Sequence, residues 1–288
     1  MVCPLCKNTS RRLFQKHGYW IRECEGCSHQ FAEITHWEGY VDRIYGDHYF
    51  RGGGAGYPDY FNEEKLLVAH GRRYARLMSN YSKPGRVLDV GAAAGFILKG
   101  FEEMGWIAKG IEPNIGMVNH ARSRLGLDVE ACTLEEFRSS DQYDLICMIQ
   151  VVAHFVDPRQ AFRVAEQLTK PGGFWLIETW DRRSWTARCL GQLWHEYSPP
   201  SVLHWFSAAS LRHLAREFEL REVAHGRPMK WIRSSHAKAI AVDKLGGASL
   251  GRLILGVSSI FPNRLPVPYL MDDVFWALCQ KSSFAPEQ

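Results

Sequence analysis

The chain has 288 residues, 46% of them hydrophobic and 23% charged, a balance that builds a packed core and excludes a disordered chain, a collagen and a simple disulfide-stapled miniprotein. At about 150 residues per domain, this length implies two units or one large domain with an appendage. With 35 basic against 31 acidic side chains the net charge is +4, spread without a basic block and too even to point to nucleic acid by itself.

The opening stretch, MVCPLCKNTSRRLF, lacks the apolar run of a secretory signal, and the expected location is the cytoplasm. No segment approaches the ~20 uninterrupted apolar residues of a membrane span. The longest candidate, residues 250–261, carries Arg252 and reads as a buried or amphipathic helix, so no membrane partner is expected.

Cys3, Cys6, Cys24 and Cys27 form two C-x2-C pairs separated by seventeen residues, the spacing of a zinc ribbon. Two cysteines with two residues between them wrap a tight turn that lets both thiolates reach one metal, and two such knuckles complete a tetrahedral site. Pro4 stiffens the first knuckle, Gly26 permits the second, and residues 19–23 read as the strand leading into it. A unit spanning residues 1–35 cannot bury enough apolar surface alone, so a structural Zn2+ would supply the missing stability. Two disulfides are the alternative pairing, and His29 an alternative ligand to Cys27. Cys132, Cys147, Cys189 and Cys279 lack metal-like spacing; Cys147, within LICMIQVV, reads as a small buried hydrophobe.

Residues 36–83 read as a linker and helical N-terminal lid. The stretch 40–61 is rich in tyrosine and glycine and reads as a flexible connection; Gly52-Gly53-Gly54 resembles a phosphate loop, but no Lys-Ser/Thr follows. From residue 84 strand and helix patterns alternate. Strands are expected at 86–90, 107–111, 128–132, 143–152 and 174–179, with helices at 96–104, from the Asn114 cap to 125, and from the Asp157-Pro158 cap to the Pro171-Gly172-Gly173 turn. Such alternation implies an α/β, doubly wound parallel sheet with its ligand at the carboxyl ends of the strands.

Those strand ends carry the chemistry. The first strand runs into the small-residue turn Gly91-Ala-Ala-Ala-Gly95, which brings backbone N–H groups close to a ligand. The second ends in Glu112, seventeen residues beyond Gly95, where a carboxylate can accept from both hydroxyls of a ribose. A nicotinamide dinucleotide and S-adenosylmethionine both suit this pattern. The turn, however, is not G-x-G-x-x-G, and Asp89 just before it can brace the loop or approach the cationic end of a sulfonium.

RVLDVGAAAGFIL, GIEPN, YDLI with VVAHFVDP, and LTKPGGFWLIET together resemble the class I S-adenosylmethionine-dependent methyltransferases, and the resemblance covers residues 84–288. The chain is similar in particular to a bacterial subgroup in which a zinc ribbon precedes the methyltransferase domain and which includes sugar and natural-product methyltransferases; residues 198–207 share that likeness. The resemblance implies a Rossmann-like seven-stranded methyltransferase sheet with a small N-terminal zinc ribbon. It implies a helix at 207–217, a sixth strand at 220–225, a last antiparallel strand at 273–281 and a helical insertion at about 229–265. Ala93 stands where such families carry glycine, which is tolerable if its φ is negative.

For the site, the resemblance implies Gly91, Ala93 and Gly95 against the methionine portion, Glu112 on the ribose with Pro113 beside it, Thr133 and Leu134 flanking adenine, and Gln150 facing the methionine. Tyr57 and Tyr60 would touch ligand. Because methyl transfer to a hydroxyl or an enolisable carbon needs a general base, His154 and His204 are the catalytic candidates, with His195 a third. The expected acceptor is a small molecule, a sugar or natural-product intermediate in biosynthesis. One alternative is RNA, gripped by a ribbon made basic by Lys7, Arg11, Arg12, Lys16 and Arg22; another is a non-catalytic scaffold.

Overall fold

A computed structural model describes residues 1–46, 60–229, 231–234, 265–269 and 272–283. The Gly52–Gly54 stretch, Tyr57, the 250–261 segment and most of the expected insertion lie outside these residues. Among the described residues no helix is long and apolar enough to cross a membrane.

The chain begins with β1 (Ser10–Lys16) and β2 (Tyr19–Cys24), joined by a two-residue turn in which His17 and Gly18 both have positive φ, 48° and 82°. That is the hairpin geometry whose twist matches its strands. β3 (Gln30–Ala32), α1 (Tyr40–Ile44) and α2 (Glu64–Met78) follow. The α/β part then runs β4 (Arg86–Val90), α3 (Phe96–Glu102), β5 (Ile107–Ile111), α4 (Ile115–Leu125), β6 (Asp128–Glu130), β7 (Tyr143–Ile149), α5 (Pro158–Leu168) and β8 (Thr169–Trp180). After it come α6 (Trp185–Leu190), β9 (His204–Trp205), α7 (Ala208–Arg216), β10 (Leu220–Gly226), β11 (Trp231–Arg233), β12 (Pro266–Pro268) and β13 (Val274–Lys281).

Seven strands form the central sheet in the order β10-β13-β8-β7-β4-β5-β6. Strands β4 to β8 are mutually parallel, and β13 is antiparallel to both its neighbours. The order reverses between β4 and β7, which opens a crevice at their carboxyl ends. Alternate side chains face opposite layers: Val87, Leu145 and Leu176 pack with α2 and α3, while Leu88, Ile146 and Trp175 pack with α5 and α7. A Cβ at Gly71 of α2 would lie 2.2 Å from the Ile97 carbonyl, and one at Gly100 of α3 would lie 2.4 Å from that of Val68, so these glycines let the two helices touch backbone to backbone. Within the expected linker and lid, Glu64–Met78 form the helix α2, which buries one face against α3.

Several boundaries differ from expectation for local reasons. β7 stops at Ile149 because Gln150 turns out of the sheet with φ 58°. β8 starts at Thr169 and absorbs Pro171-Gly172-Gly173, which the β7–β8 pairing takes up as a register shift between Tyr143 and Leu145. Residues 231–233 and 266–268, expected to flank or open a helical insertion, pair as a two-stranded antiparallel ribbon.

The N-terminal unit is not a free appendage. Its sheet has the order β1-β2-β3-β9, so a strand from beyond β8 completes it. Cys3, Leu5, Cys24 and Phe31 share one buried cluster with Leu88, Ile146 and Trp175.

Candidate functional site

The crevice is a cavity of about 520 Å³ walled by the ends of β4, β5, β7 and β8, by α1 and α2, and by the 132–136 and 151–157 loops. Gly91, Ala92 and Ala93 line it, and the N–H groups of Gly91 and Ala92 donate to the Ile111 carbonyl at 2.9 and 3.0 Å. Ala93 has φ 47°, so the condition under which alanine sits there without strain, a negative φ, is not met. An alanine in this left-handed region costs about 1–2 kcal/mol relative to the right-handed one. Its N–H donates to Glu112 Oε2 at 3.0 Å, a contact that holds the strained turn against β5. Gly95 lies outside the cavity lining. It opens α3 at φ 83°, and a Cβ there would sit 2.7 Å from Leu127, so the backbone turn and the packing both call for glycine.

Glu112 is 4% exposed, and its other oxygen accepts the Asn114 N–H at 2.9 Å. Burial pushes its carboxyl up to about 7, against the pull of the two backbone N–H groups. Asp89, buried and also in the lining, is pushed up to about 8, by burial first and then by the charge of Glu112. Two buried carboxylates without a basic side chain paired to them among the described residues suit a ligand bearing hydroxyl donors or positive charge. Pro113, Thr133 and Leu134 line the same cavity, Thr133 with its hydroxyl donating to Glu136 at 2.9 Å. Tyr60 lines it too and stacks on Phe96 with ring centroids 5.4 Å apart.

At the other end of the crevice, Gln150 belongs to a buried network that pattern reading missed. Its Nε2 donates to Glu178 Oε1 at 2.8 Å, and its Oε1 finds no partner among the described residues. Glu178 Oε2 accepts from His70 Nε2 at 2.9 Å and from the Tyr74 hydroxyl. An Arg73 nitrogen donates to His70 Nδ1 at 3.0 Å, which leaves the imidazole hydrogen on Nε2. His70, Arg73 and Glu178 all line the cavity. The available signal was Glu178 itself, an acid inside the apolar run FWLIETW, which must find donors when buried.

The three histidine candidates separate. His154 lines the cavity; its Nδ1 lies 2.6 Å from the Ser201 carbonyl and 3.2 Å from the Tyr45 hydroxyl. A carbonyl only accepts, so Nδ1 carries the hydrogen and Nε2 is the basic atom. Burial holds this imidazole below the usual histidine range. His204 is not among the lining residues: it is 5% exposed, with Nε2 on the Phe155 carbonyl at 2.9 Å and Nδ1 facing His29 Nε2 at 3.2 Å. Both ring nitrogens are engaged, which corrects the expectation of a catalytic role for it. His195 also lies outside the lining and pairs with Glu196 at 2.7 Å.

The four N-terminal cysteines converge, with all four Sγ atoms within 4.8 Å of one another. Cys6 Sγ is 3.3 Å from Cys24 Sγ and 3.4 Å from Cys27 Sγ, and Cys3 Sγ is 3.7 Å from Cys27 Sγ. These separations exceed an S–S bond of about 2.05 Å and suit four thiolates about 2.3 Å from one tetrahedral centre. His29 stands apart from the cluster, on His204. On the surrounding surface, Arg11 is paired with Glu23, and Arg12 and Arg22 with Glu33.

A family model described as a methyltransferase domain matches residues 63–225. Among curated proteins, a ubiquinone biosynthesis O-methyltransferase of Nitrobacter winogradskyi is 27% identical over 143 residues, which is 46% of this chain and 54% of that protein. One from Histophilus somni is 26% identical over 165 residues, covering 48% and 69% of the two chains. The chain spans about half the length of the first of these relatives. Among solved structures, a SAM-dependent methyltransferase from Archaeoglobus fulgidus aligns with a TM-score of 0.52 at 17% identity, covering 86% of this chain and all of that one. A SAM-dependent methyltransferase from Thermotoga maritima, described as a possible histamine N-methyltransferase, aligns at 0.50 and 17%, covering 77% and 92%. At these identities the structural likeness concerns the fold.

Proposed function

The chain belongs to the methyltransferase-domain family, and from that premise we propose that it transfers a methyl group from S-adenosylmethionine to a small-molecule acceptor. The observation that carries this reading is the single cavity in which Glu112, the Gly91–Ala93 turn, Gln150 and His154 meet. Glu112 would take the ribose hydroxyls, since each of its oxygens accepts one backbone N–H and keeps a second lone pair. Thr133 and Leu134 would flank adenine, and Gly91, Ala93 and Gln150 would meet the methionine portion. Gln150 Oε1, which has no partner among the described residues, suits a hydrogen-bond donor such as an ammonium.

When bound, the cofactor supplies the electrophilic methyl group. The chain's own task is to hold the acceptor in line, exclude water and take its proton. His154 suits that last part, because Ser201 fixes its tautomer and burial keeps Nε2 unprotonated at neutral pH. We assign the acceptor to sugars or natural-product intermediates that present a hydroxyl; relatives named as O-methyltransferases of a biosynthetic route support oxygen as the atom. Cys3, Cys6, Cys24 and Cys27 would hold a structural Zn2+. An RNA acceptor gripped by the ribbon has less support, since Arg11, Arg12 and Arg22 are already paired with carboxylates. A scaffold without catalysis leaves the buried carboxylates of the cavity without a purpose.

The test is calorimetric titration of the protein with S-adenosylhomocysteine, followed by a screen of hydroxylated acceptors with radiolabelled S-adenosylmethionine. Stoichiometric binding and label transfer support the reading, and absence of binding by the folded wild-type protein would defeat it.

A further inference from the structure

The turn at residues 151–155 supplies Val151, His154 and Phe155 to the cavity wall. Its outer side is pinned to residues 201–204. The Leu203 N–H donates to the Ala153 carbonyl at 2.9 Å, His154 Nδ1–H to Ser201 at 2.6 Å, and His204 Nε2–H to Phe155 at 2.9 Å. This segment is in turn seated on the N-terminal unit. Phe31 pairs with His204 across β3 and β9, and the Ala32 N–H donates to the Leu203 carbonyl at 2.8 Å.

Side chains add a second connection. Because Phe155 accepts at His204 Nε2, Nδ1 of His204 is an acceptor, and His29 Nε2–H donates to it across 3.2 Å. Both rings are buried. The backbone of His29 closes the second cysteine knuckle, its carbonyl accepting the Cys24 N–H at 2.9 Å. Two arginines complete the junction from the other side: Arg159 donates to the Leu5 carbonyl inside the first knuckle, and Arg182 donates to the Ser28 carbonyl just after the second. Arg159 lies between Asp157 and Gln160, both in the cavity wall.

We propose that the four-cysteine knuckles position the 151–155 turn, so that metal held by Cys3, Cys6, Cys24 and Cys27 and ligand held in the cavity strengthen each other's binding although no cysteine of the cluster lines the cavity. His29 and His204 are the positioning residues of this connection. A metal fixes the Leu5 and Ser28 carbonyls as sockets for the two arginines and fixes His29 as a donor; without it the sockets open and the wall carrying His154 loses its outer support. The inference rests on the readings of the cysteines as a zinc site and of the cavity as the cofactor site.

The experiment uses reciprocity: if zinc improves the cavity, a cavity ligand must improve zinc retention by the same factor. Zinc affinity is measured by competition with a chromophoric chelator, with and without saturating S-adenosylhomocysteine. The ligand should tighten zinc about tenfold in the wild-type protein, within the usual span of such couplings. His29→Phe should bring the factor to about one, and His29→Gln, whose amide can still donate to His204, should restore most of it. Equal zinc affinity with and without a ligand that calorimetry shows to be bound would overturn the proposal. A second readout needs no ligand and no variant: zinc removal should shift the side-chain nitrogen resonances of His154 in the full-length protein. Unmoved His154 resonances would overturn the positioning role, whereas failure of S-adenosylhomocysteine to bind would count against the methyltransferase reading alone.

Discussion

Replacing Glu112 reaches two features at once, the proposed ribose contact and the strained turn that precedes α3. In Glu112→Ala the Ala93 and Asn114 N–H groups lose an acceptor now 3.0 and 2.9 Å away, and a ribose loses its carboxylate. A hydrogen bond to a charged group contributes about 1.5–3 kcal/mol, so two hydroxyls set an upper bound of about 6 kcal/mol. Removing the carboxylate also relieves the burial that pushes it up to about 7, and this offsets part of the loss. The expected net effect on S-adenosylhomocysteine binding is about 1.5–3 kcal/mol, roughly a ten- to 150-fold rise in Kd. A pH series sharpens the test. The hydroxyls need the ionised form, and a carboxyl near 7 must lose its proton on binding, so wild-type affinity should fall as pH drops from 7.5 to 5.5, by up to about tenfold per unit. Glu112→Gln should show a much shallower slope. Calorimetry across this range measures both quantities, with melting in parallel to confirm folding. A Glu112→Ala protein that binds as tightly as wild type would remove Glu112 from the ribose site and refute the reasoning.

Three further outcomes follow from the same geometry. Ala93→Gly should relieve a left-handed alanine worth about 1–2 kcal/mol and incur about 0.5–1 kcal/mol of unfolded-chain entropy, for a net gain in stability of up to about 1.5 kcal/mol in chemical denaturation; a clear loss would mean the alanine side chain packs usefully. His154→Ala should lower methyl transfer by about 10²–10⁴ while Kd for S-adenosylhomocysteine changes little, and the wild-type rate should hold on the acid side to below the ordinary histidine range near 6.5, because burial depresses that group and the neutral form is the active one; an unchanged rate excludes it as the base. Cys24→Ser should lower the zinc stoichiometry and the melting temperature by several degrees or more, since the site's binding energy is folding energy; full zinc and unchanged melting would defeat the structural metal.

Features written in short local patterns were legible. Asn114 caps α4 through its side chain to the Met117 N–H at 2.9 Å, Asp157 and Pro158 start α5 as their order implies, and Ser207 caps α7 in a reciprocal pair with Ser210. The cysteine knuckles and the acidic end of β5 were equally plain, because their spacing is set by turns that the chain makes with near neighbours. What stayed hidden depends on long-range packing. His70 and Glu178 are 108 residues apart, and they are joined by a hydrogen bond made when α2 lies over the end of β8. His204 read as a site histidine because its neighbourhood resembled one, yet a two-residue strand turns its ring onto His29. Ala93 shows the same limit at the backbone. Its φ is set by Glu112 from the neighbouring strand, against the local preference of alanine.

The central claim, that the crevice at the ends of β4 and β5 receives S-adenosylmethionine, is tested most directly by melting the purified protein with S-adenosylmethionine, S-adenosylhomocysteine, NAD+ and NADP+ in parallel. A ligand at 100 times its Kd adds about 2.7 kcal/mol, which shows as a clear rise in melting temperature. The expected result is a rise with the two adenosyl sulfur compounds and none with the nicotinamide pair. A rise with a nicotinamide dinucleotide alone would contradict the claim and make the acidic end of β5 a dehydrogenase feature.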